Sequence, residues 1–118
     1  MKQTELDIIR GTLDLLILKT LSWGPLHGYA IVSAIRQQTD HALLVEEGAL
    51  YPSLYRMEAK KWIVAEWGLS ENNRRAKYYN LTPEGRQRLH AEVKTWHSYT
   101  EAVTKVLQAT QRPAPENA

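Results

Sequence analysis

Two clusters of side chains in this 118-residue chain have types and spacings that could do chemistry. One is Tyr51-Pro52-Ser53 with Arg56 three residues on; the other is Arg74-Arg75 and Lys77, preceded by Asn72-Asn73. Hydroxyls and a guanidinium on one helix face can meet base edges, the arginine fork holding a guanine edge through two hydrogen bonds. Adjacent arginines and a lysine on a projecting hairpin suit phosphate oxygens or a minor groove. Strand alternation would put Arg75 and Lys77 on one face. A plainer reading stands beside this one: Tyr51 and Tyr55 flank a core, and the charges form an ordinary solvated surface.

The constellations that enzymes require are missing. The chain holds no glycine-rich phosphate loop, no serine elbow and no HExxH. Its lack of cysteine excludes disulfides, thiolate chemistry and cysteine zinc sites. His90 and His97 fall two turns apart on one helix, about 10 Å, too far to share a metal unaided. Glu46 and Glu47 read as helix-start charges. No catalysis, cofactor or metal is expected.

Composition is that of one ordinary globular unit, with 43% apolar and 24% charged residues. No apolar run exceeds four residues, as at 15–18 between Asp14 and Lys19, far short of the roughly 20 residues of a membrane span. Acids at Glu5 and Asp7 stand where a signal peptide needs a basic and then an apolar region. An intracellular, cytoplasmic protein is expected. Net charge is only +2, so placement has to carry any argument about nucleic acid. Residues 1–45 balance 4 basic against 4 acidic side chains, whereas residues 72–88 hold 5 basic and one acidic.

The elements that must position these residues follow from periodicity. Apolar residues at 6, 9, 13, 16, 17 and 21 predict a first helix from Leu6, with Ile8, Leu15 and Leu18 as a second apolar face. Gly24-Pro25 breaks it, and a second helix runs over 27–38, where Gly28 allows close backbone approach. Leu43-Leu44-Val45 reads as a brief strand. The third helix spans 48–60, with Leu50, Leu54 and Met57 inward, Pro52 in the first turn, and Ala49, Ser53, Arg56 and Lys60 on the other face. Residues 62–67 and 76–81 are aromatic and β-branched and form a hairpin with a long tip at 68–75. Thr82-Pro83 starts a long helix, a hydroxyl cap followed by proline. Along it Leu89, Val93, Trp96, Thr100, Val103 and Leu107 repeat at 4, 3, 4, 3, 4, a coiled-coil seam that wants a partner.

The fold expected is therefore mainly α with a small β-hairpin: a winged helix-turn-helix (1–81), a long C-terminal dimerisation helix (82–110) and a disordered tail (111–118). In such a fold the third helix lies in the major groove. The start of the second helix, at Gly28, could add a phosphate contact, with a packing role for that glycine weighing equally.

Five motifs in order, Gly11-Thr12-Leu13-Asp14, Leu26-His27-Gly28-Tyr29, the run 48–58 from Gly-Ala-Leu-Tyr-Pro to Arg-Met-Glu, Arg74-Arg75-Ala76-Lys77-Tyr78-Tyr79 and Leu81-Thr82-Pro83-Glu84-Gly85, resemble the PadR family of bacterial transcriptional regulators, in its short subgroup with one C-terminal helix. The resemblance covers residues 5 to about 108. It implies a homodimeric transcription factor, usually a repressor, bound to a dyad-symmetric operator and often released by a small aromatic or drug-like compound. It also implies DNA contacts at Tyr51 and Pro52. One departure is Lys61, where the family usually has glycine after the recognition helix; a left-handed cap there costs lysine about 1 kcal/mol.

The first helix's second apolar face, Leu15 and Leu18, and the seam of the last helix are surfaces that a lone protomer covers poorly, so a dimer is expected. Trp96 at the seam's centre, with Leu15 near it, would build an effector site by stacking a flat aromatic ligand, as the resemblance implies, or would simply pack the dimer core. The alternative function is a winged-helix protein-interaction module without specific DNA binding.

Overall fold

The computed structural model describes residues 6–7 and 11–116. In chain order the elements are β1 (Leu6–Asp7), α1 (Thr12–Leu21), β2 (Leu26–His27), α2 (Gly28–Gln38), β3 (Leu43–Leu44), α3 (Glu47–Ala59), β4 (Ile63–Leu69), β5 (Arg75–Leu81) and α4 (Pro83–Gln108). Helices α1 to α3 enclose the core, in which Ile17, Leu18, Leu21, Ile31, Leu50, Leu54, Met57 and Ile63 are fully buried.

The amino-terminal segment differs from the expected helix. Gly11 sits at φ +91°, a conformation that L side chains rarely adopt, and α1 starts only after it. Ahead of that turn β1 pairs in parallel with β3, Leu6 opposite Leu43. Ile8 and Ile9 lie outside the described residues, as do residues 117–118 of the tail. Residues 109–116 are exposed and outside helices and strands.

The wing is a three-stranded antiparallel sheet, β2-β5-β4, where the sequence predicts a hairpin alone. Leu26 and His27 pair with Tyr79 and Tyr78, so the α1–α2 connection supplies the third strand. Both long strands reach further than predicted, with Leu69 opposite Arg75, and the tip shrinks to residues 70–74. The Ser70 amide donates to the Arg74 carbonyl at 2.8 Å and Asn73 takes φ +58°, the left-handed residue that lets so short a loop close.

The junction after α3 fixes the rest. Lys61 adopts φ +63°. The Trp62 amide donates to the Met57 carbonyl and the Lys61 amide to that of Glu58, both at 3.0 Å, which is a complete Schellman cap built on lysine instead of glycine. Thr82 seats α4 against this cap: its hydroxyl accepts from the Gly85 amide at 2.9 Å and donates to the Lys61 carbonyl at 2.6 Å. A Cβ at Gly85 would lie 2.0 Å from the Trp62 carbonyl oxygen, so only glycine fits.

At 26 residues α4 is about 39 Å long. Its first half packs on the domain through Leu89, while every residue from Glu101 to Gln108 is exposed.

Candidate nucleic-acid interface

The inward face of α3 is set by Leu50, Leu54 and Met57. At 100° per residue the opposite stripe is Gly48, Pro52, Tyr55 and Ala59, all exposed, with Tyr51 and Arg56 on its flanks. Ser53 therefore does not face outward as predicted. It is 7% exposed, and its hydroxyl is spent on the Ala49 carbonyl at 3.1 Å. Pro52 is not in the first turn either, because α3 begins at Glu47; the bond that position 52 would donate to the Gly48 carbonyl cannot form. Both residues involved lie on the solvent side, where water can serve that carbonyl.

Arg56 is half-exposed, and its Nη2 donates to both carboxylate oxygens of Asp14 on α1. Tyr51 leans over α2, its ring so close to Gly28 that a Cβ there would fall 2.7 Å from the phenol oxygen and 3.1 Å from Cζ. Gly28 is buried and makes room for Tyr51. That is the packing role which the sequence weighed against a phosphate contact at Gly28. The His27 side chain caps α2 by accepting from the Ala30 amide at 3.2 Å.

Arg74 stands at the wing tip, while Arg75 belongs to β5 and lies 4.6 Å over the Trp67 ring. Neither has an ion-pair partner among the described residues. Lys77 shares β5 with Arg75 but turns toward α3: its Nζ lies 3.4 Å from Glu58 Oε1 and 5.7 Å from the ring centroids of both Tyr55 and Tyr79. It braces the wing against the recognition helix. Tyr79 is buried, and burial, with the negative charge of Glu58 next, pushes its phenol above the usual range and keeps it neutral.

The residues predicted for dimerisation divide. Leu18 is 0% exposed, a fixed part of the protomer's own core, so it offers nothing to a partner. Leu89 packs on that core, and Val93, Trp96 and Thr100 are half-buried, the Thr100 hydroxyl donating back to the Trp96 carbonyl at 3.0 Å. Val103 and Leu107 are exposed, together with Tyr99 and Val106, which the predicted seam omits. Leu15 and Trp96 line one cleft of about 260 Å³ between α1 and α4, with Gly11 and Tyr99 at its sides.

Sequence reasoning missed Tyr55, Asp14 and Glu58 as members of this surface. Position 55 was within reach, since it stands opposite the 50/54/57 stripe. The two acids show only once α1 and β5 are seated beside α3.

The geometry, an exposed third helix next to a basic antiparallel wing, defines a winged-helix DNA-binding domain. Residues 17–91 match the family model described as Transcriptional regulator PadR-like family. A transcriptional regulator from Clostridium thermocellum is 33% identical, with a TM-score of 0.75 over 82% of this chain and 94% of that one. A PadR family transcriptional regulator from Eggerthella lenta is 34% identical, with a TM-score of 0.72 over 86% of each chain. An uncharacterized protein, X, of Lysinibacillus sphaericus is 31% identical over 105 residues, 89% of this chain and 96% of that one.

The class is thus a DNA-binding transcription regulator, and not an enzyme. Within it, the chain belongs to the PadR-like family. No helix among the described residues is long and apolar enough to cross a membrane.

Proposed function

We propose that the chain is a homodimeric, cytoplasmic repressor that binds a dyad-symmetric operator and is released by a small aromatic effector. The observation that carries the DNA part is the alignment of Tyr51, Pro52, Tyr55 and Arg56 on α3 with Arg74 and Arg75 on the adjoining wing. The helix enters the major groove and the wing arginines meet the flanking backbone or minor groove. Residues 1–81 form the DNA-binding unit, 82–110 the dimerisation helix and 111–118 a tail.

Dimerisation is supported by surface. The chain exposes 9323 Å², against about 6,600 Å² for a compact chain of 13.6 kDa. On the second half of α4, Tyr99, Val103, Val106 and Leu107 are open to water. A second α4 alongside, as a coiled-coil partner, covers them and completes the seam that begins at Leu89, Val93, Trp96 and Thr100. The effector reading is supported by Leu15 and Trp96 sharing one cleft. Its 260 Å³ is just below the usual 300 to 1,000 Å³ of a small-molecule site, so a partner's α4 would finish the wall.

The test is a footprint on the DNA upstream of the chain's own coding sequence at near-physiological salt, beside an R74A/R75A variant. A protected dyad-symmetric site that weakens in the variant is expected. If genome-wide selection also yields no site, the wing and α3 serve a protein partner instead.

A further inference from the structure

Apart from Glu47, whose charge the phosphates repel, three exposed side chains on α3 are long enough to reach base edges: Tyr51, Tyr55 and Arg56. Two of them are engaged within the domain. Tyr51 rests over Gly28, and Arg56 is held by Asp14. Tyr55 is 70% exposed and stands at the centre of the outward stripe, between Gly48, Pro52 and Ala59, none of which carries a polar side chain. Its ring is steadied by a neighbouring cation. Lys77 Nζ lies within cation–π range at 5.7 Å and is itself fixed 3.4 Å from Glu58 Oε1.

A tyrosine has one hydroxyl and cannot make the two-bond reading that arginine makes on guanine. What it offers is an apolar ring edge, and the apolar feature of the major groove is the 5-methyl group of thymine. The small neighbours on the stripe allow the helix to sit deep enough for that ring to arrive edge-on.

We infer that Tyr55 is the main specificity-determining residue of this chain, reading a thymine methyl in each half-site, and that Lys77, held by Glu58, is a positioning residue that aims the ring. The inference rests on the reading of sequence-specific DNA binding given above. It assigns Lys77 a role other than phosphate contact, although a lysine on the wing would ordinarily be read as one.

The experiment uses the full chain and the footprinted operator. Each thymine of the half-site is replaced in turn by deoxyuridine, which removes one methyl group, and affinity is read by anisotropy. The wild-type chain is expected to lose about three- to fourfold at one symmetry-related position, the value of a single buried methyl. In Y55A that ratio falls to one, and in Y55F it survives, because the ring is kept. In K77M the ratio drops toward one while the salt slope of binding stays that of the wild type, and K77R restores the ratio.

No thymine with a wild-type penalty, or a penalty that persists in Y55A, overturns the role of Tyr55. If K77M keeps the ratio but flattens the slope by about 0.9 per protomer, Lys77 is a phosphate contact and the positioning claim fails. These outcomes require only that a specific site exists. If the chain protects none, it is the underlying DNA reading that has failed, and this inference with it.

Discussion

Both carboxylate oxygens of Asp14, in the first turn of α1, accept from Nη2 of Arg56 on α3. The recognition helix thus presents an arginine whose charge is already answered from inside the domain, by an acid 42 residues away in sequence. A half-exposed pair of this kind contributes at most about 1 kcal/mol to stability. Its larger effect is on what Arg56 can offer DNA. Replacing Asp14→Asn frees the guanidinium and removes a negative charge from the phosphate-facing side. Operator affinity is expected to rise, with a salt slope steeper by up to about 0.9 per protomer. Titrations at several salt concentrations check this. A fall in affinity would mean instead that the pair holds Arg56 in its binding pose.

Gly28 and Tyr51 give a second prediction. A methyl group at position 28 lands 2.7 Å from the Tyr51 oxygen, and since that end of the side chain can swing, the ring moves and the helices stay. Gly28→Ala should leave stability within about 1 kcal/mol, since alanine suits a helix better than glycine. DNA affinity should fall several-fold. The double variant with Tyr51→Ala should bind no worse than Tyr51→Ala alone, the non-additivity of two changes acting through one contact. Additive losses would show that Gly28 acts on DNA by itself.

The lysine Schellman cap is a local strain that can be relieved. Lys61 holds φ +63° with both cap hydrogen bonds made, so Lys61→Gly removes the Cβ penalty of about 1 kcal/mol without disturbing the turn. The greater freedom of glycine in the unfolded chain offsets part of that gain. Thermal unfolding should shift upward by a few degrees. A lower midpoint would show that the lysine side chain contributes more than its backbone strain removes.

Val106 and Leu107 are 75% and 77% exposed, so charging them cannot damage the protomer's core. The V106E/L107E variant should keep its helical circular dichroism, sediment as a monomer, and lose the dyad footprint. A dimer that survives these changes would move the interface off the second half of α4.

What the sequence makes legible here is mostly local. Thr82-Pro83 announces α4, the aromatic runs announce the wing, and Lys61 marks a left-handed turn that the backbone adopts. What it hides is set by partners distant in the chain. Leu6 pairs with Leu43 and Gly11 takes a left-handed φ ahead of α1, and nothing in the apolar spacing of residues 6–21 signals that pairing. The expected face of α3 was misplaced by about one residue-step around the helix, which put Ser53 outside and left out Tyr55. Leu18 carries the apolar character expected of an interface residue, but the protomer's own core claims it. Lys77 shares a strand face with Arg75 as predicted, yet its direction is decided by Glu58 on the neighbouring helix.

The central claim, that two recognition helices and two basic wings dock together on one operator, is tested most directly by the salt dependence of binding to the footprinted site. Two protomers neutralising about three to four phosphates each predict a log–log slope of roughly −5 to −7, falling by about 0.9 for each wing arginine removed per protomer. A slope near zero, or one that R74A/R75A leaves unchanged, would contradict it.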